Sequence, residues 1–473
     1  MISPLLTDLY QLTMAYGYWK LGLHERKAVF HLIFRKNPFK GNYAIAAGLE
    51  TVVDFLNHYQ FQEDDLQYLA TLRTPDAKAP LFTADFLSYL KTLRFTGDLD
   101  AMPEGTLVFP NEPLLRVKGP LIQCQLLEST LLNIINFQTL IATKASRVYQ
   151  AVQGGAILEF GMRRAQGPDG ALSASRASYI GGCDATSNVL AGKCFDIPVR
   201  GTHAHSWVTV FPNELSAFFA YARVMPHNCV LLVDTYHTIQ GVKNAIQVGK
   251  KLREEGYELQ GIRLDSGDLA KLSIEARAML DAAGFQQTKI IASNSLDEYV
   301  IQDAKNKGAK IDIWGVGTHL AVAYDHPALD GVYKLSAIEN ESGEWVYKLK
   351  LSEESAKISN PGIHQVKRFY QNDVPLMDML FDEEKDIQNP LEMYTLDERA
   401  DKITIPSYNK TLDLLNPIFQ EGQCLAVKES IHEMRKRSLN QMNAFLSMHK
   451  NKMYPVGLEK NLYEIKQQLI KAI

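Results

Sequence analysis

Through the middle of the chain, apolar residues come in short runs that each end on a polar or glycine position. "AILEF" ends at Phe160, "IPV" at Val199, "VLLVD" at Asp234, "GIRLD" at Asp265, "KIIAS" at Ser293 and "IDIWG" at Gly315. Runs of this length predict buried strands. Most are separated by stretches with apolar residues at helical spacing, such as "IQGVKNAIQVGKKLREEG" (239–256) and "LAKLSIEARAMLDAAG" (269–284). The second of these closes on a glycine, where helices commonly end. Strand–helix alternation with crossovers predicts a mainly parallel sheet, either doubly wound or an incomplete barrel. In an open sheet only the strand ends near a switch point meet, whereas in a barrel every carboxyl end faces one mouth. Arg163, His205, Asp234, Arg263, Asp265, Ser293, Asn294, Gly315 and Gly317 all follow the runs closely, so a barrel would gather them. The expectation is an α/β protein with an irregular, incomplete β/α barrel.

The flanks carry a different pattern. "LETVVDFLNHY" (49–59) is helical in spacing, and the region around 98–122 alternates short β-prone runs with Pro and Gly. "GVYKLSAIENESGEWVYKLKLS" (331–352) reads as a hairpin, and "SIHEMRKRSLNQMNAFLSM" (430–448) as a charged helix. The expected organisation is an N-terminal α+β domain over 1–135, with a β-rich segment 98–122, and a barrel over 136–330. The segment 331–473 is expected to return to the first domain, giving a discontinuous, sandwich-like α+β domain built from both chain ends.

Composition narrows the function. The 473 residues are 46% hydrophobic and 22% charged, as in soluble globular proteins. A net charge of −4 gives no electrostatic footprint for nucleic acid or an anionic membrane, so an anionic substrate needs a local pocket. "MISPLLTDLYQLTMAYGYW" has no basic start leading into an apolar core and a cleavage site, so no secretory leader is expected. Five cysteines without a C-x-x-C suit reduced thiols and a cytoplasmic setting.

"GTHAHSWV" sets His203 and His205 either side of Ala204. A metal-dependent barrel hydrolase would use such a pair, with His237, His319 and Asp265 as further ligands. Against that, the pair follows the second run rather than the first. A nucleophile instead needs one free imidazole nitrogen and a carboxylate on the other, which Asp234 or Asp265 supplies, although strand-end aspartates also serve as helix caps. Arg163 and Arg263 suit a planar carboxylate or a phosphate, or an ion pair with one of those aspartates. "ASNSLDEY" and "WGVGTHL" are turns whose backbone N–H groups suit a phosphate. No nucleotide P-loop is present: "SNVLAGKCF" lacks the first glycine and has Cys194 in place of the hydroxyl.

"LLTDLYQLTMAYGYW", "FHLIFRKNPFKGNYAIAAGLE", "EFGMRRAQGPDG", "GTHAHSWV", "RLDSGD", "GVGTHL" and "KISNPGIHQVKRF" together resemble the nicotinate phosphoribosyltransferase family, over residue 5 to about 370. The resemblance implies a type II phosphoribosyltransferase, active as a homodimer, that joins nicotinate to 5-phosphoribosyl 1-diphosphate in NAD salvage. ATP and Mg²⁺ would take part through a phosphorylated histidine, which by motif position is His205. Asp234 would orient that ring, and Asp265 would favour cationic ribose or bind Mg²⁺, with no tightly bound zinc. Arg263 and Arg163 would hold the nicotinate carboxylate and Thr202 would line the pyridine pocket. Phe160 would sandwich the ring against Tyr10 of the partner subunit, with Asp8 of the partner subunit alongside. Ser293, Asn294, Gly315, Gly317 and Thr318 would hold the 5-phosphate. Where nicotinamide-using relatives place an aspartate, this chain aligns Asn188, which favours the acid over the amide. The alternatives are a nicotinamide phosphoribosyltransferase and the metal-dependent hydrolase.

Overall fold

Five of the six apolar runs become strands of one parallel sheet. Its order is Ala185–Thr186, Ala156–Glu159, Ile313–Val316, Lys289–Ser293, Gly261–Leu264, Val230–Leu232, and every neighbouring pair is parallel. The exception is "IPV". Pro198 has no N–H to give a ladder, and the segment makes only an isolated parallel bridge between Val199 and Thr186. The two-residue strand Ala185–Thr186 takes the sheet position instead. At the other edge, Val233 N donates to Arg263 O on the inner side. Beyond Val230–Leu232 no further strand pairs among the described residues, so the main-chain ladder does not close into a ring.

The computed structural model describes residues 2–353, 358–387, 391–396, 400–449 and 453–472. They form two units, one of residues 141–327 and one of 1–140 with 328–473. In the first, helix Thr238–Glu254 lays Val242, Ala245, Val248 and Leu252 over Leu231, Ile262 and Ile290. Helix Leu269–Ala282 starts where the Asp268 side chain accepts from Lys271 N, and adds Ala276 and Leu280 to the same core. Each fully buried Val, Leu or Ile side chain of this core stabilises by about 1.5–3 kcal/mol. A second core joins Val148 and Val152 of helix Glu128–Val152 to Ile157, Ala292 and Trp314.

The other unit interleaves the two chain ends. Strand Lys27–Phe34 pairs antiparallel with Leu115–Pro120 on one side and with Gly331–Glu339 on the other. The expected hairpin forms between Gly331–Glu339 and Trp345–Tyr347. A second sheet is built around the antiparallel pair His364–Gln371 and Val374–Asp382. The sheets meet where His31 stacks on His364, ring centroids 4.2 Å apart. In "KISNPGIHQVKRF", Lys357 lies outside the described residues. No described helix is long and apolar enough to cross a membrane.

Candidate active site

The strand ends at Asp234, Asp265 and Ser293 are tied together by hydrogen bonds. Asp234 Oδ2 accepts from Asp265 N at 3.0 Å and from Ser266 Oγ at 2.6 Å, which fixes the loop after Gly261–Leu264. Asp265 Oδ1 accepts from Ser293 Oγ. Its Oδ2 lies 3.6 Å from His205 Nε2. The opposite ring nitrogen, Nδ1, is 3.1 Å from Thr235 Oγ1. His205 begins the short helix His205–Thr209 and its side chain is 43% exposed.

This arrangement corrects two expectations. Asp234 does not orient His205: its bonded oxygen is used by the Asp265 loop, and Thr235 with Asp265 flanks the imidazole. The other oxygen, Asp234 Oδ1, is buried without a partner. Ser293 is committed to Asp265, so it sets that carboxylate rather than facing a phosphate.

Arg263 lies in the same cluster. Its Nη1 donates to Thr202 Oγ1 at 2.6 Å and to His203 O at 3.4 Å, and its Nη2 is 3.9 Å from Asp265 Oδ1. Burial lowers the Arg263 pKa and the nearby Arg163 adds to that, while Asp265 and Asp234 act against it. A guanidinium so placed keeps its proton, and its Nε has no partner. The cluster therefore presents an incompletely neutralised cation, suited to a carboxylate. Arg163 itself sits exposed in the turn Met162–Arg164.

Phe160 follows the strand Ala156–Glu159 and its ring lies against Gly315. A Cβ at Gly315 would meet the ring's Cδ2 and Cε2 at 2.7 Å, so only glycine lets the ring lie there. Gly315 is thus a floor for Phe160, a role additional to the phosphate contact expected of it. The turn proper is Gly317 and Thr318, which open a helix of four residues. Asn294 and Ser295 have positive φ of 81° and 49° and expose their side chains after Lys289–Ser293.

Asn188 is bonded within its own unit. Its Oδ1 accepts from Ala191 N at 3.3 Å as a helix N-cap, and its Nδ2 donates to Ser175 Oγ at 3.2 Å. Buried to 3% exposure with both ends of its amide bonded, it offers no free donor to a ring substituent. Asp184, four residues earlier, accepts from Ile157 N at 2.8 Å and pins the neighbouring strand.

The hydrolase's metal set does not assemble. His203 gives its ring nitrogens to Leu232 N and Ala204 O. His319 bonds Asp297 at 3.1 Å and stacks on Tyr324, and His237 is exposed ahead of helix Thr238–Glu254. Among the described residues, no group of three or more His, Cys, Asp or Glu is placed to hold a metal.

Two contributors escaped the sequence reading. Thr235 followed the conspicuous Asp234, and a hydroxyl there carried no separate signal. Glu159 was legible in principle, as a carboxylate inside the apolar run "AILEF". Its Oε1 accepts from Gly161 N, and its Oε2 accepts from Ser175 Oγ at 2.8 Å and Thr186 Oγ1 at 2.6 Å. It anchors the turn that carries Phe160 and Arg163. Tyr10 and Asp8 belong to the other unit, at the start of helix Leu9–Lys20. There Asp8 Oδ2 accepts from Ser129 Oγ at 2.6 Å and Tyr10 is exposed.

Similarity to known proteins runs along nearly the whole chain. Models of the nicotinate phosphoribosyltransferase N-terminal domain, family and C-terminal domain match residues 5–136, 156–370 and 363–466. The nicotinate phosphoribosyltransferase of Bacillus subtilis is 44% identical, over 99% of this chain and 95% of its own. The Homo sapiens protein of that name is 35% identical, over 99% of this chain and 96% of its own. The crystal structure of human nicotinic acid phosphoribosyltransferase matches with a TM-score of 0.84 at 32% identity, covering 98% of this chain and 99% of that one. A nicotinate-nucleotide pyrophosphorylase from Pyrococcus furiosus shares the fold, with a TM-score of 0.69 at 22% identity over 93% of this chain and 95% of that one. With matches that run through both units and across the cluster around His205, Arg263 and Asp265, the chain belongs to the nicotinate phosphoribosyltransferase family.

Proposed function

We propose that the protein joins nicotinate to 5-phosphoribosyl 1-diphosphate, releasing diphosphate and forming nicotinate mononucleotide for NAD salvage, and couples this to ATP hydrolysis through phosphorylated His205. The observation that carries the reading is the imidazole of His205 held between Thr235 and Asp265, beside the Arg263–Thr202 pair. Nε2 faces the Asp265 carboxylate at 3.6 Å, and we assign the ring proton to it. Nδ1 then holds the lone pair, and Thr235 donates to it until it reacts. Nδ1 attacks the γ-phosphorus of ATP, the bond to the ADP oxygen breaks, and Asp265 offsets the positive charge gained by the ring. Water later takes the phosphoryl group, returning free His205 and inorganic phosphate.

In the ribosyl step the bond from C1 to diphosphate breaks as the pyridine nitrogen approaches, and positive charge develops on the ribose. Asp265 is suited to stabilise it. Arg263 and Thr202, with Arg163, would hold the carboxylate, and Phe160 the ring face. Asn294, Gly317 and Thr318 would receive the 5-phosphate. Asp265 and the unpartnered Asp234 Oδ1 fit Mg²⁺, which takes one or two carboxylates and leaves the rest of its shell to phosphate and water. When bound, it would neutralise diphosphate charge. The exposed apolar residues Leu6, Leu9, Tyr10 and Met14 at the first helix favour a homodimer. Tyr10 and Asp8 of the partner subunit would then complete the site.

The test is diphosphate release with nicotinate or nicotinamide, with and without ATP. Release with nicotinate that ATP stimulates is expected, and release with nicotinamide alone would overturn the reading. Acid-labile label from γ-labelled ATP is expected on the wild type and not on His205→Asn. Equal label on both removes His205 from the mechanism.

A further inference from the structure

His203, the other half of the H-x-H pair, touches none of the groups assigned above through its ring. The edge strand Val230–Leu232 points alternate N–H groups inward and outward. Leu231 pairs inward with Ile262 and Val233 N donates to Arg263 O, so Leu232 N points to the side where the sheet ends. Leu232 is fully buried, and an N–H stranded there would have no water to satisfy it. Its partner is the ring of His203: Nε2 accepts from Leu232 N at 3.3 Å.

The ring's other nitrogen fixes the proton. Nδ1 lies 3.2 Å from Ala204 O, and a carbonyl only accepts, so Nδ1 carries the hydrogen and Nε2 the lone pair. That neutral tautomer satisfies both contacts at once, and no other form does. Burial lowers the His203 pKa, in keeping with a ring that stays neutral. Tyr221 packs against it with ring centroids 4.7 Å apart, with Phe218 beyond.

This one side chain joins the two segments that meet at His205. The segment 202–205 brings Thr202 and His205, and His203 O accepts from Arg263 Nη1. The segment 232–235 brings Asp234 and Thr235, and Thr235 faces His205 Nδ1 three residues after Leu232. We infer that His203 is a positioning residue: its neutral imidazole replaces the missing strand pairing at the edge of the sheet and sets His205 against Thr235. It does so without contacting substrate. The inference rests on the proposed phosphorylation of His205 only for its kinetic readout.

The experiment compares wild type, His203→Leu and His203→Gln. Leucine fills the space but cannot accept from Leu232 N, whereas the glutamine amide oxygen can. Formation of acid-labile label from γ-labelled ATP is expected to slow at least tenfold in the leucine variant and to stay within about threefold of wild type in the glutamine variant. Hydrogen exchange of peptides covering 230–236 is read at the same time, with thermal unfolding as the check on folding. Faster exchange confined to those peptides is expected in the leucine variant alone, and it reports the clasp even where labelling is slow for other reasons. A leucine variant that labels and exchanges like wild type overturns the inference, as does a glutamine variant as impaired as leucine. Wild type that takes no label at all refutes the phosphohistidine reading instead, and the exchange comparison still decides the role of His203.

Discussion

Arginine, aspartate and histidine are assembled in both units, to opposite ends. In the unit of the two chain ends, Arg368 and Asp378 are fully buried and joined at 2.6–3.1 Å through Nε and Nη2. Tyr454 O–H donates to Asp378 at 2.9 Å, and Arg368 also donates to Leu107 O. Burial and the neighbouring Asp378 push the Glu112 carboxyl well above the usual carboxylate range. Arg368 and Asp378 thus pair one to one with both carboxylate oxygens bonded, while Glu112 Oε1 beside them is buried without a partner. In the unit 141–327 the same residue types stand half-open at strand ends, with Arg263 Nε and Asp234 Oδ1 unpartnered. A fully buried ion pair away from any strand-end mouth serves architecture, and a half-open cluster at strand ends serves chemistry.

The largest test of the contrast removes a charge from the closed network. Arg368→Ala leaves Asp378 buried without its counter-ion, which should cost about 3–5 kcal/mol of stability. Urea unfolding at neutral pH measures this. A loss below ~1 kcal/mol would mean that the buried pair is not the strut it is taken for.

Next comes a pH effect on the same unit. Burial lowers the pKa of both stacked histidines, His364 to about 4 and His31 well below its ordinary value, with Arg116 adding to each. The folded protein thus refuses protons that the unfolded chain accepts below about pH 6.5. Stability is complete above that pH and falls as the pH drops towards 4. Each pH unit of that window costs about 1.4 kcal/mol per histidine, on the order of 3 kcal/mol for His364. Urea midpoints from pH 7 to 4.5 should fall steeply in wild type and less so in His364→Gln. Parallel profiles would remove this pair as the cause.

The open network should respond in activity. Arg263→Ala is expected to weaken nicotinate use by roughly 2–4 kcal/mol, about 30- to 1,000-fold in kcat/KM. The KM for the ribosyl donor should change far less. Equal losses for both substrates would make Arg263 part of the donor site or of the scaffold.

How much of this was legible in the sequence depended on whether a signal was local. The strands ending at Asp234, Asp265 and Ser293 followed from apolar runs closed by polar residues, and His205 stood out through its motif. "IPV" misled because an apolar triplet containing proline reads as a strand, while Pro198 cannot extend a ladder. The partners were not legible. Ser293 reaches Asp265 across 28 positions, Thr235 reaches His205 across 30, and His203 reaches Leu232 across 29. Such pairings are set by strand order and register, which no spacing along the chain encodes.

The smallest predicted effect concerns Asn188, expected from its residue type to favour the acid and bonded in the structure as a helix cap. Aligned with an aspartate of amide-using relatives, it read as a selector for the acid. In place, it caps helix Val189–Phe195 with one end of its amide and bonds Ser175 with the other. Asn188→Ala should therefore cost about 1 kcal/mol of stability, the usual loss for an N-cap, and leave the preference for nicotinate over nicotinamide unchanged. Asn188→Asp keeps the acceptor for Ala191 N, and its stability should lie between alanine and wild type. Rates with the two pyridines, set against the unfolding midpoints of both variants, separate a cap from a selector. An aspartate variant that gains nicotinamide use at unchanged stability would return Asn188 to the substrate pocket and join it to the open network around Arg263.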